Sequence, residues 1–237
     1  MDRLPWGDIG ALTFDCYGTL VDWESGILRA LKPLLAVHGV RLDDQTLLAR
    51  YAEYEAAEER GEYQSYRDVL RGVVGRFAAG AGFTPEEKEL DRLPTSLARW
   101  PLFADTRGAL AALGERLPLV ICSNVDDDLF EATQEALGVE FARVVTASYC
   151  RSYKPDPRHF RVALALLDLP AERVLHVAQS RFHDIAPARA LGMRTAWINR
   201  ASCRPGVGVA PPPPAGSEPD LELPDLASLA RLVCDAR

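Results

Sequence analysis

The chain has little of what nucleic-acid-binding and membrane proteins require. It contains 27 Lys and Arg residues against 34 Asp and Glu residues, which gives a formal net charge of -7, and it has no run of basic residues. Polyanion binding depends on such basic residues, so we expect no nucleic-acid partner. No apolar run approaches the roughly 20 residues of a membrane span, so we also expect no membrane partner.

The spacing of the five cysteines predicts no site. No two of the cysteines have the CxxC spacing of a zinc or redox motif; they are Cys16, Cys122, Cys150, Cys203 and Cys234. The first ten residues, MDRLPWGDIG, also lack the basic and then apolar regions of a signal peptide. We therefore predict reduced cysteines and a cytoplasmic protein.

The first strand is followed by a long helical segment. Residues 9–14 are mostly apolar and end at Asp15, which predicts a buried strand and then a turn. Nothing in residues 23–100 resembles a strand, so we predict that this segment is an inserted all-helical cap domain. Apolar residues at helical spacing predict helices in it at 24–37, 43–60 and 66–79.

Prolines mark two positions in the predicted cap. Pro33 lies inside the first predicted helix and is expected to kink or divide it. Thr84 and Pro85 have the pattern of an N-cap followed by Pro at the first helical position, so we predict that another helix begins there.

After residue 100 the pattern alternates between helices and short apolar strands. The predicted strands are 117–122, 143–147, 174–178 and 195–198, and the predicted helices are 106–116, 127–137, 158–167, 185–191 and 224–234. Residues 206–219 contain a proline run and are predicted to form a surface loop. The alternation predicts an α/β fold, a doubly wound, Rossmann-like parallel sheet formed by residues 1–22 and 101–237.

Polar residues follow four of the predicted strands, where a parallel sheet gathers functional groups. They are Asp15, the pair Ser123 and Asn124, Lys154, and Asp184. A cation beside Asp15 would keep its carboxylate ionised, and Thr19 could donate a hydrogen bond to it. Short polar groups such as Ser123 could bind a substrate anion. Each residue also has a structural interpretation as a turn former, a helix cap or a solvated side chain.

Together these segments resemble the four ordered motifs of the haloacid dehalogenase superfamily. Residues 14–20 read FDCYGTL and match the motif FDxxGTL, in which the aspartate is the nucleophile. The helical cap of that family is inserted directly after this motif, as the predicted helical segment is here.

Two departures from the phosphatases of that family favour a halide as leaving group. Those enzymes place a second Asp two residues after the nucleophile to protonate the leaving oxygen, and Tyr17 stands there. Magnesium-dependent members carry further acidic residues in the fourth motif, whereas this chain has Gln179, Ser180 and a single Asp184. A halide needs no proton, so the resemblance implies a reaction without metal or cofactor.

The chain is most similar to the L-2-haloacid dehalogenase branch, whose DxYGTLxD, SN, YKPD and WINR segments occur at 15–22, 123–124, 153–156 and 197–200. The resemblance implies hydrolysis of small 2-haloalkanoic acids through an aspartyl ester on Asp15, and a possible homodimer. The implied catalytic residues are Asp15, Thr19, Lys154 and Asp184. The implied residues that bind the carboxylate substrate are Cys16, Tyr17, Arg50, Ser123, Asn124, Arg181 and His183.

Arg50 is included because dehalogenases of this branch bind the halide with an arginine of the cap. Counting back from Tyr66 places Arg50 at that position, with Tyr51, Tyr54 and Val69 as pocket walls.

The fourth motif departs from the branch, because Gln179 and Arg181 replace Ser and Asn, and His183 replaces an aromatic residue. These changes would increase the affinity for anions, tighten the site around a smaller acid, or suit a different electrophile. A magnesium-dependent phosphatase and a non-catalytic relative remain the alternative functions.

Overall fold

A computed structural model describes residues 4–202, 212 and 214–236. Its centre is a six-stranded parallel sheet in the order β3-β2-β1-β4-β5-β6. The strands are β1 (Ala11–Phe14), β2 (Leu119–Ser123), β3 (Arg143–Thr146), β4 (Val174–Ala178), β5 (Arg194–Ile198) and β6 (Leu221–Leu223). The predicted doubly wound α/β fold is confirmed. No strand was predicted at β6, because three residues after a proline-rich segment show no periodicity.

The helices fall into two groups along the chain. Between β1 and β2 lie α1 (Trp23–Val37), α2 (Asp44–Glu58), α3 (Tyr66–Ala81), α4 (Glu87–Leu90), a 3-10 helix at Pro94–Arg99, and α5 (Thr106–Gly114). The later helices are α6 (Asp127–Leu137), α7 (Ala147–Cys150), α8 (Arg158–Leu167), α9 (Ala186–Ala190) and α10 (Leu226–Asp235). Within the described residues, no helix is both long and apolar enough to cross a membrane.

The sheet is covered on both faces, as the alternation of strands and helices predicts. Alternate residues of β2 point to opposite faces: Leu119 and Ile121 belong to the main core, whereas Val120 and Cys122 pack in a separate cluster with Ala163 of α8. All four residues of β1 are buried, as expected for a central strand. The neighbours of β1 are β2 and β4, so the chain changes direction across the sheet at β1.

The structure corrects two predictions about helix geometry in the cap. Pro33 does not divide α1, which continues from Trp23 to Val37. The apolar face of α1 is buried along its length, and this packing outweighs the one backbone hydrogen bond that proline cannot make. The helix predicted from Thr84 begins later, with Glu86 as its N-cap, because the Glu89 carboxylate accepts a hydrogen bond from the Glu86 N–H at 2.8 Å.

Two further helices differ from the prediction at their starts. The helix predicted at 185–191 is preceded by a π-helical turn at Arg181–Ile185 and continues as α9. The last helix begins after Asp225, whose side chain accepts a hydrogen bond from the Ser228 N–H at 2.7 Å. Half of the loop predicted at 206–219 lies outside the described residues, and the described residues 214–219 form neither helix nor strand.

Helix α1 packs closely against the Trp100 ring at Gly26. A Cβ atom added at Gly26 would lie 2.3 Å from the ring of Trp100. We expect Gly26→Ala to lower the free energy of unfolding by about 1–3 kcal/mol, even though alanine is the better helix former. Urea denaturation monitored by circular dichroism measures this difference.

Gly75→Ala is the matched control, because a Cβ at that helical position meets nothing within 4 Å. We expect it to raise the free energy of unfolding by about 0.5–1 kcal/mol. Equal effects of the two substitutions would contradict the close approach of α1 to Trp100.

Candidate active site

Asp15 follows the central strand and has both carboxylate oxygens fixed. Phe14 pairs with Ile121 of β2 and with Val177 of β4, so Asp15 emerges where three strands end together. Thr19 Oγ1 donates a hydrogen bond to Asp15 Oδ2 at 2.6 Å, and Lys154 Nζ donates to Oδ1 at 2.9 Å. Asp15 as a whole residue is 7% exposed, so its carboxylate is held in one orientation away from bulk water.

A tight turn after β1 brings Thr19 back to this carboxylate. The Cys16 carbonyl accepts hydrogen bonds from the N–H groups of Thr19, Leu20 and Val21. Gly18 has a φ of +102°, a left-handed conformation that glycine adopts without steric cost. The Gly-Thr pair in the motif is therefore required by the geometry of the turn as well as by the hydrogen bond.

Lys154 is the cation at the centre of the site. Its Nζ donates to Asp15, to Asp184 Oδ1 at 2.6 Å and to the Cys122 carbonyl at 2.9 Å, and the residue is 3% exposed. Asn124 Oδ1 accepts from the Lys154 N–H at 2.7 Å, and Asn124 Nδ2 donates to the Lys154 carbonyl at 3.2 Å. The Asn124 amide thus fixes the lysine backbone, a contact that sequence reasoning did not predict.

Asp184 is held by a buried histidine as well as by Lys154. His176 Nε2 lies 3.1 Å from Asp184 Oδ1, and His176 Nδ1 lies 2.8 Å from Thr13 Oγ1. We did not predict His176, because a histidine inside an apolar strand gives no motif signal. The sequence VLHVA could have indicated it, since a fully buried histidine needs a polar partner.

The three charges shift one another's pKa values. Burial opposes the charged form of Lys154, but the carboxylates of Asp15 and Asp184 outweigh it and raise its pKa. Burial also acts on Asp184, yet the Lys154 ammonium and the His176 hydrogen bond lower its pKa to about 2. For Asp15 burial dominates and the charge of Asp184 adds to it, so its pKa is raised although Lys154 and Thr19 oppose the shift.

The two carboxylates of the site are paired with a cationic side chain. The ammonium of Lys154 bridges Asp15 and Asp184, and in the described part of the chain no three His, Cys, Asp or Glu side chains converge as metal ligands do.

A cavity of about 260 Å³ opens above Asp15. Strand ends and cap helices both line it, so the helical segment covers the carboxyl ends of the strands. The predicted residues on its wall are Asp15, Tyr17, Ser123, Asn124, Lys154, His183 and Asp184. Burial lowers the pKa of His183, so its imidazole is neutral at pH 7.

Two of the predicted substrate-binding residues, Arg50 and Arg181, do not line this cavity. Arg50 is exposed and lies outside the cavity, because the helical period of α2 turns other residues inward. Arg181 is not on the wall either: its guanidinium lies over the Trp197 ring and donates to the Ser217 carbonyl at 3.1 Å. The Cys16 side chain is fully buried and points into the core, and burial raises the pKa of its thiol well above the usual value, which leaves the backbone N–H as the group of Cys16 that is predicted to bind substrate.

The cap presents carboxyl groups where we predicted an arginine. Ala52, Glu55, Ala56 and Glu59 line the cavity, at the spacing of one helical face. The predicted walls Tyr51, Tyr54 and Val69 do not line it. Aromatic side chains complete the wall, and they are Tyr17, Trp23, Tyr66, Trp100 and Phe182.

The fold and the cavity define the class of protein: a doubly wound α/β sheet with a helical cap over the carboxyl ends of its strands. Residues 9–192 match the haloacid dehalogenase-like hydrolase family, and the chain belongs to that family.

Several relatives span most of the chain. Haloacetate dehalogenase H-2 of Moraxella sp. (strain B) is 28% identical over 198 residues, which cover 81% of this chain and 86% of that protein. (S)-2-haloacid dehalogenase 4A of Burkholderia cepacia is 28% identical and covers 85% and 87% of the two chains. The crystal structure of the L-2-haloacid dehalogenase PA0810 is similar to this chain with a TM-score of 0.81 and 27% sequence identity. The match covers 96% of this chain and 100% of that chain.

Removing the central cation should destabilise the fold. Lys154→Met leaves two buried carboxylates facing each other without a positive charge, so we expect the free energy of unfolding at pH 7 to fall by about 3–5 kcal/mol. Urea denaturation measures this change.

The control is Lys32→Met, which removes an exposed ion pair with Asp44. We expect it to cost under about 1 kcal/mol. Equal losses in the two variants would contradict a structural role for the buried ammonium.

Proposed function

We propose that the protein hydrolyses the carbon–halogen bond of small 2-haloalkanoic acids, with Asp15 as nucleophile and without a metal. The observation that carries this proposal is the position of Asp15, a carboxylate on the cavity floor that is paired with Lys154. The named activities of the relatives over most of the chain support it.

In the first step an Asp15 oxygen attacks the α carbon of the substrate. A carbon–oxygen bond forms while the carbon–halogen bond breaks, and the halide leaves with the bonding electron pair. Lys154 favours the ionised form of Asp15, which is the nucleophilic form. Ser123 and the backbone N–H groups of Cys16 and Tyr17 hold the substrate carboxylate.

In the second step water attacks the carboxyl carbon of the aspartyl ester. Asp184 assists the water, and the Lys154 ammonium stabilises the negative charge on the ester oxygen. The bond between the carboxyl carbon and the substrate oxygen then breaks. Asp15 is regenerated, and the products are a 2-hydroxy acid, a halide ion and a proton.

The weak acidity of the Tyr17 hydroxyl is consistent with a leaving group that needs no proton. Its hydroxyl lies 2.9 Å from Thr133 Oγ1, and burial raises its pKa well above 10.0. A phenol of this kind is a poor substitute for the carboxylic acid with which a phosphatase of this family protonates its leaving oxygen.

We further propose that residues 1–22 and 101–237 form the core domain and residues 23–100 the cap domain. The cysteines at positions 16, 122, 150 and 234 are free thiols. This supports our proposal that the protein functions in the cytoplasm, which is a reducing compartment. The homodimer stays a prediction.

Halide release tests the nucleophile. We expect the wild-type protein to release halide from chloroacetate, bromoacetate or L-2-chloropropionate, and Asp15→Asn to lose all turnover because an amide cannot form the ester. Asp8→Asn, a change at an exposed aspartate, is the control and should keep full activity. Absence of halide from folded wild-type protein would contradict the proposed function.

A single turnover in H₂¹⁸O separates the nucleophile from a general base. We expect the hydroxyl of the product to contain ¹⁶O and the Asp15 carboxylate to gain ¹⁸O, which mass spectrometry of the peptide detects. Label in the product alone would show that water attacks the substrate directly.

The pH dependence follows from the pKa of Asp15. The ionised form is active, so kcat/KM should be full above this pKa and fall as the pH decreases through it. Burial raises that pKa, so we expect the acidic midpoint above the ordinary aspartate value of about 3.9. A midpoint below this value in steady-state assays would contradict the raised pKa.

A further inference from the structure

The cap side of the cavity has an excess of acidic groups. Four carboxyl groups line the cavity, and Lys154 is the only cationic side chain among the described residues on its wall, apart from the neutral His183. Lys154 is hydrogen-bonded to Asp15 and Asp184. In the described part of the chain, no cationic side chain is hydrogen-bonded to the carboxyl groups of Glu55 and Glu59.

Glu55 is fixed in place by two phenols. Tyr51 Oη donates to Glu55 Oε1 at 2.8 Å, and Tyr66 Oη donates to the same oxygen at 2.6 Å. Burial raises the pKa of Glu55, while these two hydrogen bonds favour the ionised form and oppose the shift. An acidic side chain held by two donors is a built feature of the cavity wall.

Glu59 lies one helical turn further, and its N–H donates to the Glu55 carbonyl at 2.9 Å. In the described part of the chain its carboxyl group has neither a hydrogen bond nor an ion pair, although it faces the cavity. Burial raises its pKa well above the usual value, and the charge of Glu55 adds to this effect. A positive charge beside Glu59 would favour its ionised form and offset both effects.

Aromatic rings surround the same space. Trp23, Tyr66 and Trp100 line the cavity together with the two glutamates. The faces of aromatic rings attract cations, and carboxylates accept hydrogen bonds from ammonium groups. The cavity, at about 260 Å³, has room for a larger acid than a haloacetate.

We propose that Glu59 and Glu55 bind an ammonium group of the substrate, so that the substrates are short carboxylic acids that carry both a 2-halogen and a protonated amine. The inference rests on the proposed function, which supplies both the cleavage of the carbon–halogen bond and the binding of the substrate carboxylate near Ser123. It assigns Glu59 as the specificity-determining residue.

An unreactive ligand tests recognition without turnover. Isothermal titration calorimetry on the full chain would compare 4-aminobutanoate with butanoate. We expect the amino acid to bind at least about tenfold more tightly to the wild type and this preference to disappear in Glu59→Gln. Glu53→Gln removes the same charge from an exposed position of α2 and should keep the preference.

Kinetics with reactive acids extends the test to catalysis. The ratio of kcat/KM for 4-amino-2-chlorobutanoate over 2-chlorobutanoate should be about tenfold or more in the wild type, mainly through KM, and should fall to about one in Glu59→Gln. Equal binding of the two unreactive acids by the wild type would overturn the inference, whether or not Glu59→Gln folds. Preferential binding of 4-aminobutanoate without halide release from any acid would instead contradict the proposed function and leave ammonium recognition supported.

Discussion

The site depends on one buried ammonium group. Asp15 and Asp184 come from different segments that follow strands, and two neighbouring buried carboxylates without a cation would repel each other and take up protons. Lys154 donates to both and to the Cys122 carbonyl, so a single cation joins three strand ends. Burial of such a group is tolerated because each of its three donors has an acceptor. Asn124 completes the arrangement by fixing the backbone of the lysine.

The cap is placed over this ammonium by contacts with the core. Asp126 accepts hydrogen bonds from the N–H groups of Tyr66 and Arg67 at 3.0 and 2.9 Å, at the start of α3. A carboxylate is favourable at a helix N-terminus, where free N–H groups and the helix dipole attract negative charge. Tyr66 is thereby positioned to hold Glu55, and a residue of the core controls which groups the cap turns toward Asp15.

Much of the fold could be predicted, because local patterns report local structure. The turn after β1, the strand alternation after residue 100 and the long helices of the cap all follow from periodicity and turn residues, and most predicted boundaries agree within about two residues. The predicted helix boundaries were wrong where packing outweighs local propensity, as at Pro33, and where neighbouring side chains compete to cap a helix, as at Glu86. The π-helical turn that precedes α9 has no simple sequence signal.

The sequence by itself determined the order of the motifs, and with it the meeting of Asp15, Thr19, Lys154 and Asp184 at one edge of the sheet. The carboxyl ends of parallel strands lie on the same side of a sheet, so the motifs that follow the strands converge whatever the conformation of the loops. Only the tertiary structure decided what faces Asp15 from the cap. A difference of a few residues in register turns a helix to another face, and this difference puts Glu55 and Glu59 in the cavity and Arg50 in solvent.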